Sequence, residues 1–183
     1  MARAANSPSP KRLRYRVADQ PAATTLARAL RDALTGPAHA GEPDVVWEDR
    51  GSQILLHVGR LDVRPLDNVL VVAVGTETVE FGATALIVRL VFGKERDPAT
   101  LVASSDEAVH GHPLVAARWG PLFRGVIWST LVRLSEAHAA ERGLQPKSIA
   151  IRRGQLHFTA EPPTSLRAAA VAHLERTASR PPR

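Results

Sequence analysis

The chain has 183 residues, of which 44% are hydrophobic and only 4% aromatic, so one domain with an aliphatic core is expected. It contains no cysteine, which excludes disulfides, thiol catalysis and thiolate metal sites. The formal net charge is +6, but residues 1–18 hold five basic residues and no acid, so the body of the chain is close to neutral.

The chain divides into three predicted segments. Residues 1–10 are small, polar and proline-rich, which is typical of a disordered basic leader, and residues 178–183 are expected to be a disordered tail. Residues 11–177 are expected to form a single α+β domain. No signal-peptide core and no apolar run of membrane-spanning length is present, so we expect a cytoplasmic protein without a membrane partner.

The first half of the domain predicts a strand, a helix and a β-meander. Residues 11–18 alternate arginine with apolar residues, as in an exposed edge strand. Residues 21–36 carry a leucine stripe at helical spacing between a proline and a glycine, which predicts a helix. From 44 to 93 the apolar period is two, and short turns separate the runs, which predicts antiparallel neighbours.

The second half predicts a polar loop, a long helix, a hairpin and a last helix. The loop covers 95–113 and the helix 121–143, with a stop at Gly143. Arg153-Gly154 is a two-residue turn that places Ile149 opposite Phe158, and residues 164–177 follow as a helix. The predicted fold is thus a largely antiparallel sheet of five to seven strands packed on one long helix. Its order is helix, β-meander, long helix, β-hairpin, helix.

This order of elements resembles the fold of the dimeric type III secretion chaperones. The resemblance rests on element order alone, without a shared motif, and those chaperones tend to be acidic whereas this chain has basic tails. The resemblance therefore concerns the fold alone and indicates no family membership.

Charge is distributed unevenly along the domain. Between Glu42 and Glu107 twelve acids oppose six bases, whereas between Arg118 and Arg153 seven bases oppose two acids. A chain with one acidic half and one basic half suits self-association or an asymmetric partner as well as it suits nucleic acid.

The long helix carries the leading candidate for a partner interface. With Phe123 and Ile127 on the core face, a second face is small or apolar and carries few charges. A helix that is apolar on both faces either lies between layers of its own domain or meets a partner. The predicted partner-interface residues are Gly125, Trp128, Ser129 and Val132.

A second hypothesis is nucleic-acid binding by arginines of the leader strand and the hairpin. Its candidate residues are Arg12, Arg14, Arg16, Arg152 and Arg153. Few aromatic residues lie beside them for bases to stack on, and the alternative is a basic leader next to a solvated turn.

A third hypothesis is a metal-dependent activity in the polar loop. His110 and His112 form an H-x-H pair with Asp106 nearby, and imidazole with carboxylate suits zinc, iron or manganese. Gly111 leaves the pair free to point anywhere, however, and a third and fourth ligand are missing from the pattern. The alternative is a solvated loop with a short, capped helical turn.

No nucleophile motif, phosphate-binding loop or cofactor motif occurs in the chain, so no catalytic residue and no cofactor is predicted. The leading hypothesis is therefore a non-catalytic protein-interaction module, whether an adaptor, a chaperone-like protein or an assembly subunit. It would associate with itself or another protein through the long helix.

Overall fold

The computed structural model describes residues 14–16, 22–93, 96–97 and 108–163. Within these residues the chain forms two α-helices and eight strands, and the strands divide into two antiparallel sheets. The predicted leader, last helix and tail lie outside the described residues. None of the described helices is long and apolar enough to cross a membrane.

The first helix, α1 (Ala22–Thr35), confirms the prediction for this segment. Its leucine stripe, Leu26, Leu30 and Leu34, is buried, and the helix packs against strand β3 and the long helix. Gly36 ends it with a φ of 69°, and its N–H donates to the carbonyl of Asp32 at 3.0 Å.

A five-stranded sheet confirms the predicted antiparallel meander. Its strands follow one another in chain order: β2 (Val45–Asp49), β3 (Ser52–Leu66), β4 (Val69–Thr78), β5 (Gly82–Val91) and β6 (Ala108–His110). Along β5, Leu86, Val88 and Leu90 are buried on one face, as the period of two requires. The last strand, β6, was expected to be loop.

The hairpin forms a second sheet, which corrects the prediction of a single sheet. Strand β1 (Arg14–Arg16) pairs with β8 (Gln155–Glu161), and β8 pairs with β7 (Gln145–Arg152). The predicted register is confirmed, since Ile149 lies opposite Phe158. The hairpin follows a helix about 42 Å long, which carries the chain away from the edge of the first sheet.

The long helix α2 (Pro113–Ala140) packs against strands of both sheets. Phe123, Ile127 and Leu131 are fully buried on it. It begins eight residues before the predicted start because Gly120-Pro121 does not interrupt it. Gly120 has no Cβ to clash with the proline ring, and Pro121 lies on the exposed side of the helix.

Candidate functional site

Exposed apolar side chains cluster around the first half of α2. Six large apolar residues of the described chain are exposed, and four of them are on α2 or on the β4–β5 turn beside it. These four are Val79, Phe81, Leu114 and Leu122, and the other two are Val46 and Leu66. Such a concentration is typical of an interaction site, whereas single exposed apolar residues are common on any surface.

We define the α2 outer face as a set of six exposed residues that lie on one side of the helix between Leu114 and Ser129. They follow one another at helical spacing: Leu114, Arg118, Pro121, Leu122, Gly125 and Ser129. Leu114 is 62% exposed and Leu122 is 46% exposed. Apart from Arg118, the face is therefore apolar or small along about four turns of helix.

The charge on the α2 outer face is Arg118, and the chain itself contacts its guanidinium. Nη2 of Arg118 donates to the carbonyl of Asp49 at 2.6 Å and lies 3.8 Å from a carboxylate oxygen of the same residue. This interaction holds the cation against the end of β2 and leaves the adjacent leucines uncovered.

Two glycines of α2 differ in what surrounds them. A Cβ on Gly120 would lie 2.6 Å from Cγ1 of Val109, so a glycine is needed where β6 crosses the helix. A Cβ on Gly125 would meet nothing within 4 Å, and Gly125 is exposed. A glycine inside a helix costs about 0.5–1 kcal/mol relative to alanine. Nothing among the described residues accounts for that cost at Gly125.

The turn between β4 and β5, residues 79–81, projects next to the start of α2, and we call it the turn tip. Val79 is fully exposed at 100%, and Glu80 beside it is exposed as well. The N–H of Phe81 donates to Oγ1 of Thr78 at 3.1 Å, and the Phe81 ring stacks on His112 with centroids 4.2 Å apart. The tip is thus held in one conformation against the residue that precedes α2.

A cavity of about 210 Å³ opens at the other end of the α2 outer face. Its lining residues are Leu90, Arg96, Pro121, Arg124, Gly125, Trp128 and Ser129. Two guanidinium groups and no carboxylate belong to this set. We call it the arginine cavity.

Trp128 forms part of the arginine cavity but is only 4% exposed. The ring of Phe92 lies 6.2 Å from it, and the guanidinium carbon of Arg96 lies 4.6 Å from its centroid. Both residues follow β5. No described residue accepts a hydrogen bond from the indole N–H, although that atom is buried.

The four predicted partner-interface residues therefore have different surroundings. Gly125 and Ser129 are exposed on the α2 outer face, whereas Trp128 is buried and Val132 packs partly against the core. An interface at these positions remains a prediction, and its accessible part is the surface around Gly125. Trp128 is instead covered from within its own chain, and the described residues that cover it are Phe92 and Arg96.

The candidate nucleic-acid residues lie partly within the described chain. Arg12 lies outside it, and Arg14 and Arg16 belong to β1, opposite Thr159 and His157. The backbone N–H of Arg153 donates to a carboxylate oxygen of Asp67 at 3.0 Å, and Arg152 is exposed beside it. The sheet thus brings β1 and the hairpin together, with an acid at the turn.

The candidate metal residues are held by other interactions. His110 lies in β6 opposite Ile87, and His112 stacks on Phe81. The backbone between the two histidines is not free, because Gly111 packs so closely on β5 that a Cβ on it would lie 2.3 Å from the carbonyl oxygen of Ala85. Asp106 lies outside the described residues, which contain no group of three residues able to hold a metal ion.

Comparisons of the chain with models of known protein families, with curated proteins and with solved structures found no match.

Four exposed residues were not predicted from the sequence as part of a site: Val79, Phe81, Leu114 and Leu122. A signal existed for two of them, since apolar residues at positions 79 and 81 flank Glu80 immediately before a glycine, where a turn normally carries polar residues. Leu114 was missed because the helix was predicted to begin after it.

Proposed function

We propose that the protein is a non-catalytic interaction module that self-associates through the α2 outer face. The observation that supports this most is the group of four exposed apolar side chains on and beside the first half of α2. Water contact with these groups is unfavourable by about 25 cal/mol for each Å² of apolar surface. Covering them with a matching surface would recover that free energy.

A helix glycine with open space beside it supports the same surface. Gly125 lies on the α2 outer face, is exposed, and has no packing role among the described residues. Small residues on a helix allow another backbone or helix to approach closely. A close approach by a second chain would account for a glycine that otherwise only weakens the helix.

The outer surface of the five-stranded sheet is the competing location. Val71 and Ile87 are apolar there, but each is only partly exposed, because cross-strand neighbours shield one another. No large apolar side chain in the middle of β4 or β5 reaches the exposure of Leu114. The α2 outer face is therefore the better supported of the two.

A second copy is the partner that the charge distribution favours. The acidic residues are concentrated before Glu107 and the basic residues after Arg118, so each copy presents both signs. In an interface with two-fold symmetry the same patch serves both copies, and each acidic region can meet the basic region of the other copy.

Light scattering across a range of concentrations tests the proposal. We expect a dimer for the wild type and a monomer for Leu122→Asp, which places a charge on the α2 outer face. Val46→Asp is the matched control, because Val46 is 56% exposed on β2 and should leave the mass unchanged. A wild type that stays monomeric at high micromolar concentration would overturn the proposal.

Nucleic-acid binding is a second candidate, and the pairing of β1 with β8 favours it. This pairing joins the strand containing Arg14 and Arg16 to the sheet of the hairpin that carries Arg152 and Arg153. A salt titration of DNA and RNA binding, with and without residues 1–18, tests it. Binding should weaken as salt rises, and truncation should reduce the slope. An absence of binding at low salt would rule it out.

A further inference from the structure

We propose that the self-association is an antiparallel pairing of two α2 helices, with the two-fold axis between Pro121 and Leu122. Arg118 of each copy then lies on Gly125 of the other, and the two Leu122 side chains meet at the centre. This inference rests on the proposed self-association and adds the register in which the helices pair.

The α2 outer face is symmetric about its own midpoint. Its residues lie at equal distances on both sides of the peptide bond between positions 121 and 122. They form the pairs Leu114 with Ser129, Arg118 with Gly125, and Pro121 with Leu122. At 3.6 residues per turn, the two members of each pair also lie equally far to the left and right of the centre line of the face. A two-fold interface requires such a patch, because the same residues serve both copies.

The charge of Arg118 disfavours a register in which the axis lies one turn earlier, at position 118. The two guanidinium groups would then meet at the centre, where like charges repel more strongly as water is removed. With the axis between Pro121 and Leu122, the two copies of Arg118 are instead about 10 Å apart along the helix. The centre of the interface is then apolar.

The contact with Asp49 leaves the aliphatic part of Arg118 available to a second copy. The carbonyl of Asp49 accepts a hydrogen bond from the guanidinium at 2.6 Å, and its carboxylate lies 3.8 Å away. The charged end is therefore directed toward the end of β2. The stem of the side chain can cover apolar or small groups of a partner while the charge stays where it is.

The open space beside Gly125 matches that stem. A Cβ on Gly125 would meet nothing within 4 Å, so its backbone is open to a second chain. The aliphatic stem of Arg118 from the other copy would fill this space. A side chain at position 125 would occupy the same space, which gives the glycine a role that the described residues do not provide.

A register in which the axis lies one turn later, at position 125, pairs unlike residues. Leu114 would then face Glu136 of the other copy, which sets an exposed leucine against an exposed acid. Leu122 would face Trp128, which is only 4% exposed and offers almost no surface. Less apolar surface would be covered in this register, so it is the less favourable one.

Disulfide formation between two single-cysteine variants tests the register. The chain has no cysteine, so Arg118→Cys and Gly125→Cys each carry one thiol. A disulfide requires Cα atoms within about 7 Å. We expect a mixture of the two variants to give mainly the mixed dimer on mild oxidation. Each variant alone should give little, because its two thiols would be about 10 Å apart along the helix.

The mixed dimer is identified by intact mass, since the two variants differ in mass. It also keeps one unaltered contact between Arg118 and Gly125. Ala140→Cys is the matched control, because it is exposed on α2 beyond the α2 outer face and should give little mixed dimer with Arg118→Cys. Both substituted positions are exposed, so the melting curves of the reduced variants should stay close to that of the wild type.

The outcomes separate this inference from the proposed function. Self-linking of Arg118→Cys would place the axis at position 118, and self-linking of Gly125→Cys would place it at position 125. Either result overturns the proposed register and leaves self-association intact. A wild-type dimer whose mixed variants link no better than the Ala140→Cys control also overturns the register. A monomeric wild type overturns the proposed function as well.

Discussion

The guanidinium carbon of Arg96 lies 4.6 Å from the ring centroid of Trp128. The backbone of Arg96 is fixed independently, because its N–H and carbonyl both bond to Ile149 of β7 at 2.7 Å. Arg96 thus bonds to the second sheet through its main chain and covers the indole of Trp128 with its side chain. The tryptophan that the sequence offered as a partner contact is in this way buried by its own chain.

The Arg96–Trp128 contact should contribute measurably to stability. Replacing Arg96 by alanine should lower the free energy of unfolding by about 1 kcal/mol, because a partly buried cation–π contact and its packing are lost. A double-mutant cycle with Trp128→Phe, followed by chemical denaturation, measures the coupling between the two side chains. Arg96→Lys should retain part of it. Strictly additive effects would show that the two side chains do not interact.

The two glycines of α2 should respond oppositely to alanine. Gly120→Ala should destabilise the fold by about 1–3 kcal/mol, because the new methyl group would overlap Val109. Gly125→Ala should stabilise the dissociated chain by about 0.5–1 kcal/mol, because it only restores helix propensity. Denaturation at low protein concentration measures both effects.

The same Gly125→Ala variant should dimerise more weakly than the wild type. Its methyl group occupies space on the α2 outer face that a partner would need. The substitution should therefore raise stability at low protein concentration, where the chain is dissociated, and lower it at high concentration, where the dimer forms. Equal or stronger dimerisation would show that nothing approaches Gly125 closely. Gly143→Ala is no substitute control, because Gly143 has a φ of 64°.

Gly111 should be among the least replaceable residues of the described chain. Its φ is 147°, and a Cβ would lie 2.3 Å from the carbonyl oxygen of Ala85. Gly111→Ala should therefore lower stability by about 3 kcal/mol, since strain and overlap act together. Thermal unfolding, with Gly82→Ala as a comparison in open space, measures it. A loss below that of Gly82→Ala would mean that the H-x-H segment is not held against β5.

Much of the fold could be predicted from apolar periodicity. The stripe Leu26, Leu30 and Leu34 predicted α1, and the period of two predicted the meander. The hairpin register followed from its two-residue turn, because pairing Ile149 with Phe158 buries both. In α1, the meander and the hairpin, the residues that are apolar at the expected spacing are also the residues that are buried.

Three features could not be predicted because they depend on long-range packing. The helix continues through Gly120-Pro121 although the pair is a turn signal, and the packing of Val109 against Gly120 cannot be read from the local sequence. The second sheet depends on the position in space at which α2 ends and β7 begins. Arg96 covers Trp128, and the position of Arg96 depends on its isolated β-bridge to Ile149.

The candidate surface was only half visible in the sequence. Gly125 and Ser129 were identified from the helical pattern, whereas Trp128 was assigned to the same surface although it faces Phe92. The apolar residues 79 and 81 stood out only once the turn was placed beside His112. Contacts between segments far apart in sequence leave no local pattern.

Disulfide cross-linking by single cysteines on α2 measures whether two copies meet across the α2 outer face. The chain has no cysteine, so Leu122→Cys introduces a single thiol, which can bridge two copies only if their Cα atoms come within about 7 Å. Ala140→Cys, exposed at the far end of α2, is the control. We expect mild oxidation to give a linked dimer for Leu122→Cys and little for Ala140→Cys. A wild-type dimer in which single cysteines at positions 114, 118, 122 and 125 all link no better than Ala140→Cys would contradict self-association across the α2 outer face.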